Sequence, residues 1–227
     1  RITATAFVDD FDKSGSSYTL KGNIPHYVSE SNTQPGMPKY KDLNGDGIID
    51  TNDRTMIGRG LPIHTGGFTN NFEYKGFDLS VFFQWSYGND VLNANRLFFD
   101  SGFQKKRELN QYASYTNRWT PENPNSDIPA ATNSSSNLVI SSRVVEDASF
   151  LRLKTVTLGY TVPKTFLKKY KIDNARLYVA AQNLWTITGY SGYDPEVSIR
   201  SGGLTPGLDF SSYPRALSVS FGINLGF

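Results

Sequence analysis

The final fifteen residues, Tyr213 to Phe227, alternate between two kinds of side chain with a period of two. Successive side chains of a β-strand point to opposite faces, so this segment predicts a strand with two chemically different faces. The odd positions form an apolar face of Leu217, Val219, Phe221, Ile223, Leu225 and Phe227. The even positions form a small or polar face of Ala216, Ser218, Ser220, Gly222, Asn224 and Gly226.

Two environments accept such an apolar face. A soluble sheet buries it against a protein core, whereas a transmembrane barrel turns it toward lipid. The aromatic residue at the last position, Phe227, favours the barrel, because barrel strands place such rings in an interfacial aromatic girdle. No segment reaches the ~18 consecutive apolar residues of a transmembrane helix, so a helical membrane protein is excluded and a barrel is not.

Composition excludes several classes of site. The chain has no cysteine, which rules out disulfides, zinc–thiolate centres and thiol catalysis. The formal net charge is only +2, so nothing in the charge favours nucleic acid as a partner. The chain begins at Arg1, with neither an initiator methionine nor a signal peptide, and we expect it to be a processed or partial chain.

Residues 42–53, DLNGDGIIDTND, have the spacing of a calcium-binding loop. Oxygen ligands at loop positions 1, 3, 5, 7, 9 and 12 converge on one ion, and position 6 requires glycine for a sharp turn. Gly47 takes position 6, and Asp53 replaces the usual glutamate at position 12, as in dockerin-type loops. The predicted ligands of a structural calcium ion are Asp42, Asn44, Asp46, Ile48 (through its carbonyl), Asp50 and Asp53. The alternative is a turn rich in Asp and Asn that holds no ion.

Alternating runs recur upstream and predict an all-β chain of antiparallel strands. The clearest is a hairpin around a two-residue turn at Lys75–Gly76. A later run changes phase near Lys154, which predicts a β-bulge. The predicted barrel strands cover about residues 66–74, 77–88, 149–162, 175–190 and 213–227. Residues 1–65 form an outer region of short strands, one of them at 2–8, together with the calcium-like loop.

The connections between these strands alternate in length. Short connections follow residues 74 and 162, whereas long polar segments occupy residues 89–148 and 191–212. Transmembrane barrels have short periplasmic turns and longer extracellular loops, so both long segments are predicted to lie outside, with a short helix at 105–115 in the first. Five strands cannot close a large barrel, and an open edge is not tolerated in lipid, so further strands must complete it.

The same stretches resemble, in order, the C-terminal part of the SusC/RagA-type TonB-dependent outer-membrane transporters. The matching stretches are KYKDLNGDGIIDTNDRTMIG (39–58), FTNNFEYKGFDLSVFFQWSYGNDV (68–91), FLRLKTVTLGYTVP (150–163), ARLYVAAQNLWTITGYSGYDPEV (175–197) and YPRALSVSFGINLGF (213–227). The resemblance implies a 22-stranded transmembrane barrel filled by a plug domain in the bacterial outer membrane. It also implies a SusD-like surface lipoprotein as a lid, a TonB partner that acts through the plug, and import of oligosaccharides or, in some members, peptides.

Aromatic residues are assigned to two roles. The strand phase places Trp85, Tyr87 and Trp185 among the lipid-facing side chains, and with Phe227 they are predicted to anchor the membrane interface. In the long loops, the candidate substrate contacts are Trp119, Tyr112 and Tyr193, although ordinary loop packing is the more common role for such residues.

No catalytic residues are predicted. Asp194 and Glu196 straddle one loop residue, a common arrangement that gives little reason to infer a glycosidase pair. His26 and His64 lack a serine or carboxylate constellation. Arg152 and Lys154 are expected beyond the apolar layer or facing the lumen, because a charge in mid-bilayer costs about 2–4 kcal/mol. The rival hypothesis is a soluble, secreted carbohydrate-binding module with a structural calcium ion.

Overall fold

The computed structural model describes residues 10–15, 17–27, 33–102, 110–132, 138–198 and 206–227. Its strands are β1 (Phe11–Ser14), β2 (Ser17–Leu20), β3 (His26–Tyr27), β4 (Ile48–Ile49), β5 (His64–Tyr74), β6 (Phe77–Tyr87), β7 (Asp90–Asn93), β8 (Val145–Asp147), β9 (Phe150–Thr161), β10 (Asn174–Thr188), β11 (Leu208–Asp209) and β12 (Ser218–Gly226). The α-helices are α1 (Ala94–Phe99) and α2 (Lys164–Leu167), and 3₁₀ turns cover Thr51–Asp53, Ala113–Asn117 and Lys168–Tyr170. Neither helix has the length and apolarity needed to cross a membrane, within the residues described.

The chain divides into two compact units that interleave along the sequence. The first comprises residues 1–58, 92–146 and 208–211, and the second comprises residues 59–91, 147–207 and 212–227. This differs from the predicted division at residue 65, because parts of both long loops fold with the N-terminal segment rather than with the strands that they connect.

The second unit contains an antiparallel sheet of the five long strands in the order β12-β10-β9-β6-β5. The hairpin between β5 and β6 turns on Lys75 and Gly76, which have φ angles of 47° and 87°. Positive φ at both central residues is the type I′ geometry, whose twist matches that of the flanking strands. The predicted hairpin is therefore confirmed.

The register sorts the side chains of this sheet into two faces. One row runs across all five strands as Phe72, Leu79, Leu158, Val179 and Phe221. The adjacent row, on the opposite face, is Asn71, Ser80, Thr157, Ala180 and Ser220. One face of the sheet is thus apolar and the other polar, as the alternation predicts.

In the described part of the chain, the apolar face is not packed into a protein core. On β12, Phe221 is 81% exposed and Ile223 and Leu225 are also exposed. A soluble sandwich would bury these residues between two sheets. The exposed face argues against the soluble rival and fits strands whose apolar side meets lipid.

The predicted bulge in β9 is confirmed. Thr155 and Leu153 pair with the consecutive residues Phe82 and Phe83, so Lys154 is an extra residue on β9. The bulge places Arg152 and Lys154 on the polar side of the sheet, while the apolar alternation resumes afterwards at Val156.

The first unit consists of short elements. Strands β1 and β2 pair antiparallel, β3 and β4 pair parallel, and β11, β7 and β8 form a third sheet. A buried carboxylate, Asp100, lies 3.7 Å from Arg96 and 3.9 Å from Arg143. The helix expected at 105–115 is wrong in its described part, since Ala113–Asn117 form a 3₁₀ turn. Residues 103–109 and the strand expected at 2–8 lie outside the described residues.

Candidate functional site

The apolar face of the five-stranded sheet carries aromatic residues toward both of its ends. Tyr74 and Phe77 flank the hairpin turn, and Phe77 contacts Tyr160 with ring centroids 4.5 Å apart. At the other end of β6 lie Trp85 and Tyr87. Trp85 lies eight residue steps after Phe77, which is about 27 Å along a strand and about 20 Å along the axis of a tilted barrel strand. That spacing approaches the ~25 Å apolar band of an outer-membrane barrel.

The four residues predicted at the membrane interface all lie on or next to this face. Trp185 and Phe227 are exposed, as is Tyr87, whose ring stacks on His64 at 5.2 Å. Trp85 donates a hydrogen bond from Nε1 to His64 Nδ1 at 3.1 Å. Sequence reasoning missed His64 as the partner of two aromatic residues, because its position on the neighbouring strand depends on the hairpin register.

At the hairpin end of the polar face, one ion pair crosses a strand. Arg176 of β10 binds Asp78 of β6 through two hydrogen bonds of 2.5 and 3.1 Å. Gly159 of β9 lies between them, and a Cβ there would come within 2.4 Å of both side chains. Because Gly159 has no side chain, Arg176 on β10 can reach across β9 to Asp78 on β6.

At the opposite end of the polar face, five charged residues form a cluster that we call the loop clasp: Arg152, Lys154, Asp194, Glu196 and Arg215. The two acidic residues belong to the loop after β10, and the cations Arg152 and Lys154 belong to β9. The clasp fixes this loop against the polar face of the sheet.

Asp194 is the buried centre of the clasp. It receives a 2.5 Å hydrogen bond from Arg152 Nη2, and both side chains are only 3% exposed. Its carboxylate also accepts hydrogen bonds from the backbone N–H groups of Glu196 and Arg215. Burial alone raises the pKa of Asp194, but these hydrogen bonds outweigh burial and leave its pKa below the usual value. Asp194 therefore stays ionised and ties both ends of the loop to β9.

Glu196 occupies the more accessible part of the clasp. Its carboxylate lies 3.1 Å from Arg152 Nη1, 3.0 Å from Lys154 Nζ and 3.0 Å from Arg215 Nη2. Gln84 Nε2 lies 3.5 Å from the same carboxylate. Asp194 and Glu196 are thus both paired with cations. Their role in this loop is structural, and the structure gives no reason to assign them to glycoside hydrolysis.

The calcium-like loop is held by its own side chains. Asp42 accepts hydrogen bonds from the N–H groups of Gly45 and Gly47, at 2.6 and 2.8 Å. Asp50 and Asp53 form a reciprocal cap on the 3₁₀ turn that ends the loop. The backbone N–H groups of Asp50 and Leu43 lower the pKa of Asp53. Gly47 has a φ of 83°, the left-handed conformation expected at position 6.

The oxygen donors of this loop have the hard character that calcium prefers. In their present arrangement Asn44 and Asp46 bond to each other at 2.8 Å, and Asp46 also accepts the N–H of Ile48. No group of three or more His, Cys, Asp and Glu side chains in the described part of the chain is arranged to hold a metal ion. The loop thus has oxygen donors suited to calcium, and several of them accept hydrogen bonds from its own backbone N–H groups.

The three predicted substrate contacts differ in accessibility. Trp119 is only 8% exposed, and its ring lies so close to Gly36 that a Cβ there would come within 2.5 Å. This packing argues against Trp119 as a substrate contact. Tyr112 is half-buried against Phe99, at a centroid distance of 5.5 Å. Tyr193, next to the loop clasp, is 80% exposed and presents its ring to solvent.

No family profile matches the chain. Among curated proteins it is similar to TonB-dependent receptor P3 of Formosa agariphila, with 38% identity over 91% of this chain and 21% of that protein. It is also similar to TonB-dependent receptor SusC of Bacteroides thetaiotaomicron, with 29% identity over 88% of this chain and 18% of that protein. The chain therefore spans about a fifth of the length of these relatives.

Solved structures agree with this similarity. The RagAB peptide importer in its closed-closed state matches all of this chain with a TM-score of 0.69 and 27% identity, and the match covers 22% of that chain. The open-open state of the same importer gives a TM-score of 0.65. Over the length that it matches, the chain belongs to the SusC/RagA-like family of TonB-dependent outer-membrane β-barrel transporters.

Proposed function

We propose that the chain forms part of the wall of an energised outer-membrane importer, which moves its solute without chemical conversion. The observation that carries this proposal is the two-faced sheet, apolar and exposed on one side and polar with ion pairs on the other. In a barrel the apolar face meets lipid and the polar face lines the interior. TonB supplies the energy, and a SusD-like surface lipoprotein closes the outer mouth.

Oligosaccharides are the solute that we propose first. Tyr193 and Tyr213 are 80% and 89% exposed in the loop between β10 and β12. Flat aromatic rings stack against the apolar face of a sugar, and their stiffness keeps the entropy cost of binding low.

Peptides are the second candidate. The specific observation in their favour is the similarity to the RagAB peptide importer, which extends over the whole chain. The lumen charges of the loop clasp suit a zwitterionic solute as well as a sugar.

Replacing Tyr193 by alanine is expected to weaken oligosaccharide uptake. Loss of one stacking ring removes about 0.5–1.5 kcal/mol, which corresponds to roughly a 2- to 10-fold higher half-saturating concentration. The measurement is uptake of labelled oligosaccharides by cells that carry the full-length transporter. Tyr170→Ala is the matched control, because Tyr170 is exposed on the short connection at the other end of the strands.

Two results would count against oligosaccharides as the solute. One is uptake of peptides but not oligosaccharides by the unmodified transporter, which favours the second candidate. The other is an equal effect of Tyr193→Ala and Tyr170→Ala, which removes the loop tyrosine from the site.

We further propose that residues 42–53 bind a structural calcium ion when the ion is present. The ligands are the side-chain oxygens of the five polar residues and the carbonyl of Ile48. The left-handed φ of 83° at Gly47 supports this role, because position 6 of such loops makes a sharp turn that requires glycine. When bound, the ion would supply positive charge to carboxylates whose described partners are N–H groups of the loop.

Asp46→Ala is expected to lower calcium affinity at least tenfold, measured by calorimetric titration of the full-length protein. A wild-type dissociation constant of about 10⁻⁴–10⁻³ M is expected, as in extracellular calcium modules. Thr51→Ala is the control, since position 10 of the loop supplies no ligand. Equal calcium binding by both variants and the wild type would show that this loop holds no calcium.

A further inference from the structure

Glu196 of the loop clasp has more cationic partners than one carboxylate needs. Three cations, Arg152, Lys154 and Arg215, approach it within 3.1 Å, and Gln84 points an amide at it. Asp194 is the other carboxylate of the clasp, so three positive charges face two negative charges. The clasp therefore carries one excess positive charge.

The two carboxylates differ in how they are held. Asp194 is 3% exposed and bound by two backbone N–H groups as well as by Arg152. Glu196 is more exposed. Among the described residues, no backbone N–H group donates a hydrogen bond to its carboxylate. Asp194 is thus bound by backbone as well as side-chain groups, whereas the described partners of the Glu196 carboxylate are side chains.

Two further observations mark the Glu196 position as a binding site for an anion. Among the described residues, the buried Nε of Arg152 has no hydrogen-bond partner, and this side chain is only 3% exposed. Arg215 is 46% exposed on its side chain, so the site is open to solvent on that side. A planar guanidinium with a spare donor is well suited to a second carboxylate.

We propose that Glu196 is an internal stand-in for a carboxylate of the solute. A solute carboxylate takes the place of Glu196 beside Arg152, Lys154 and Arg215, and displacement of Glu196 frees the loop after Asp194 while Asp194 stays bound to Arg152. The source of the carboxylate rests on the proposed import function. The site itself does not, because it is defined by residues within the second unit.

The test follows the loop directly. A spin label at Ser198→Cys, an exposed position two residues beyond Glu196, reports loop mobility in the purified full-length transporter. Sodium acetate is expected to raise the mobility of the label saturably, whereas acetamide and sodium chloride at equal ionic strength have no effect. An acidic tripeptide and a glucuronate-containing trisaccharide are compared next, and the stronger of the two identifies the source of the carboxylate.

Glu196→Gln removes the internal competitor. The loop of this variant is already free without acetate, so acetate affinity is measured for the variant and the wild type by calorimetric titration instead of the spin label. If Glu196 occupies the site at least nine-tenths of the time, the apparent dissociation constant of acetate in Glu196→Gln is at least ~10-fold lower than in the wild type. Lys154→Gln combined with Arg215→Gln is expected to abolish the acetate response. Glu122→Gln, an exposed loop carboxylate elsewhere in the chain, is the matched control and should behave as wild type.

Equal responses to acetate and acetamide, or equal acetate affinity of wild type and Glu196→Gln, would overturn the proposal. If Glu196→Gln does not assemble, Arg215→Gln decides, since it must weaken the acetate response at least ~10-fold to support the site. An intact acetate response in a protein that imports neither class of solute would reject the import function and leave this site standing.

Discussion

Arginine in place of Val81 is expected to destabilise the folded barrel by about 2–4 kcal/mol, the cost of a cation at the bilayer midplane. Val81 lies in the central row of the apolar face, where it pairs with Asn70 on β5 and Val156 on β9. Strands on both sides hold its backbone in place, so the arginine must enter lipid. The measurement is the urea midpoint of the full-length protein in lipid vesicles, read from gel mobility of the folded form.

Ser80→Arg is the matched control, because Ser80 is the next residue on the same strand and lies on the polar face. This arginine meets the barrel interior, and its effect is expected to stay within about 0.5 kcal/mol. Equal losses at positions 80 and 81, or a larger loss at 80, would mean that the apolar face does not contact lipid.

The second large effect is expected from Arg152→Ala. Removing one partner of a buried ion pair leaves the other charge uncompensated, at a cost of about 3–5 kcal/mol. In this variant Asp194 loses its ion-pair partner, although its buried carboxylate, which is 3% exposed, still accepts hydrogen bonds from backbone N–H groups. The measurement is the same urea midpoint, together with protease cleavage in the loop after β10.

Two further variants define the outcome for the loop clasp. Arg152→Ala combined with Asp194→Ala is expected to be less destabilising than the sum of the single changes, because the pair then disappears together. Arg176→Ala breaks the half-exposed pair at the hairpin end of the sheet and is expected to cost less than Arg152→Ala. Simple additivity of the Arg152 and Asp194 changes would show that their contact contributes nothing to folding.

Local alternation of apolar and polar residues predicted the sheet, because every second side chain of a strand lies on the same face and meets the same environment. The closing segment 213–227 gives the two faces directly, and the phase change at Lys154 gives the bulge. The predicted strand starts too early, since β12 begins at Ser218. Residues 213–217 precede the strand and include Pro214 and Arg215, and Arg215 belongs to the loop clasp.

The partners of the charged residues were not predictable from the sequence. Arg152 meets Asp194 across 42 residues, and no period or spacing in the sequence links them. The same holds for Trp119, which covers Gly36 in a unit assembled from distant segments. The cost of a charge in lipid predicted that Arg152 and Lys154 lie beyond the apolar layer or face the lumen, but it gave no partner for either residue.

The central claim is that the odd-numbered face of β12 contacts lipid. Spin labels placed singly at residues 217 to 226 in vesicles, with collision rates for oxygen and for a water-soluble nickel complex, test it most directly. If the odd-numbered face contacts lipid, oxygen collisions peak and nickel collisions fall at every odd position, with a period of two. Odd positions shielded from both reagents would show a face buried in protein and would contradict the transporter assignment.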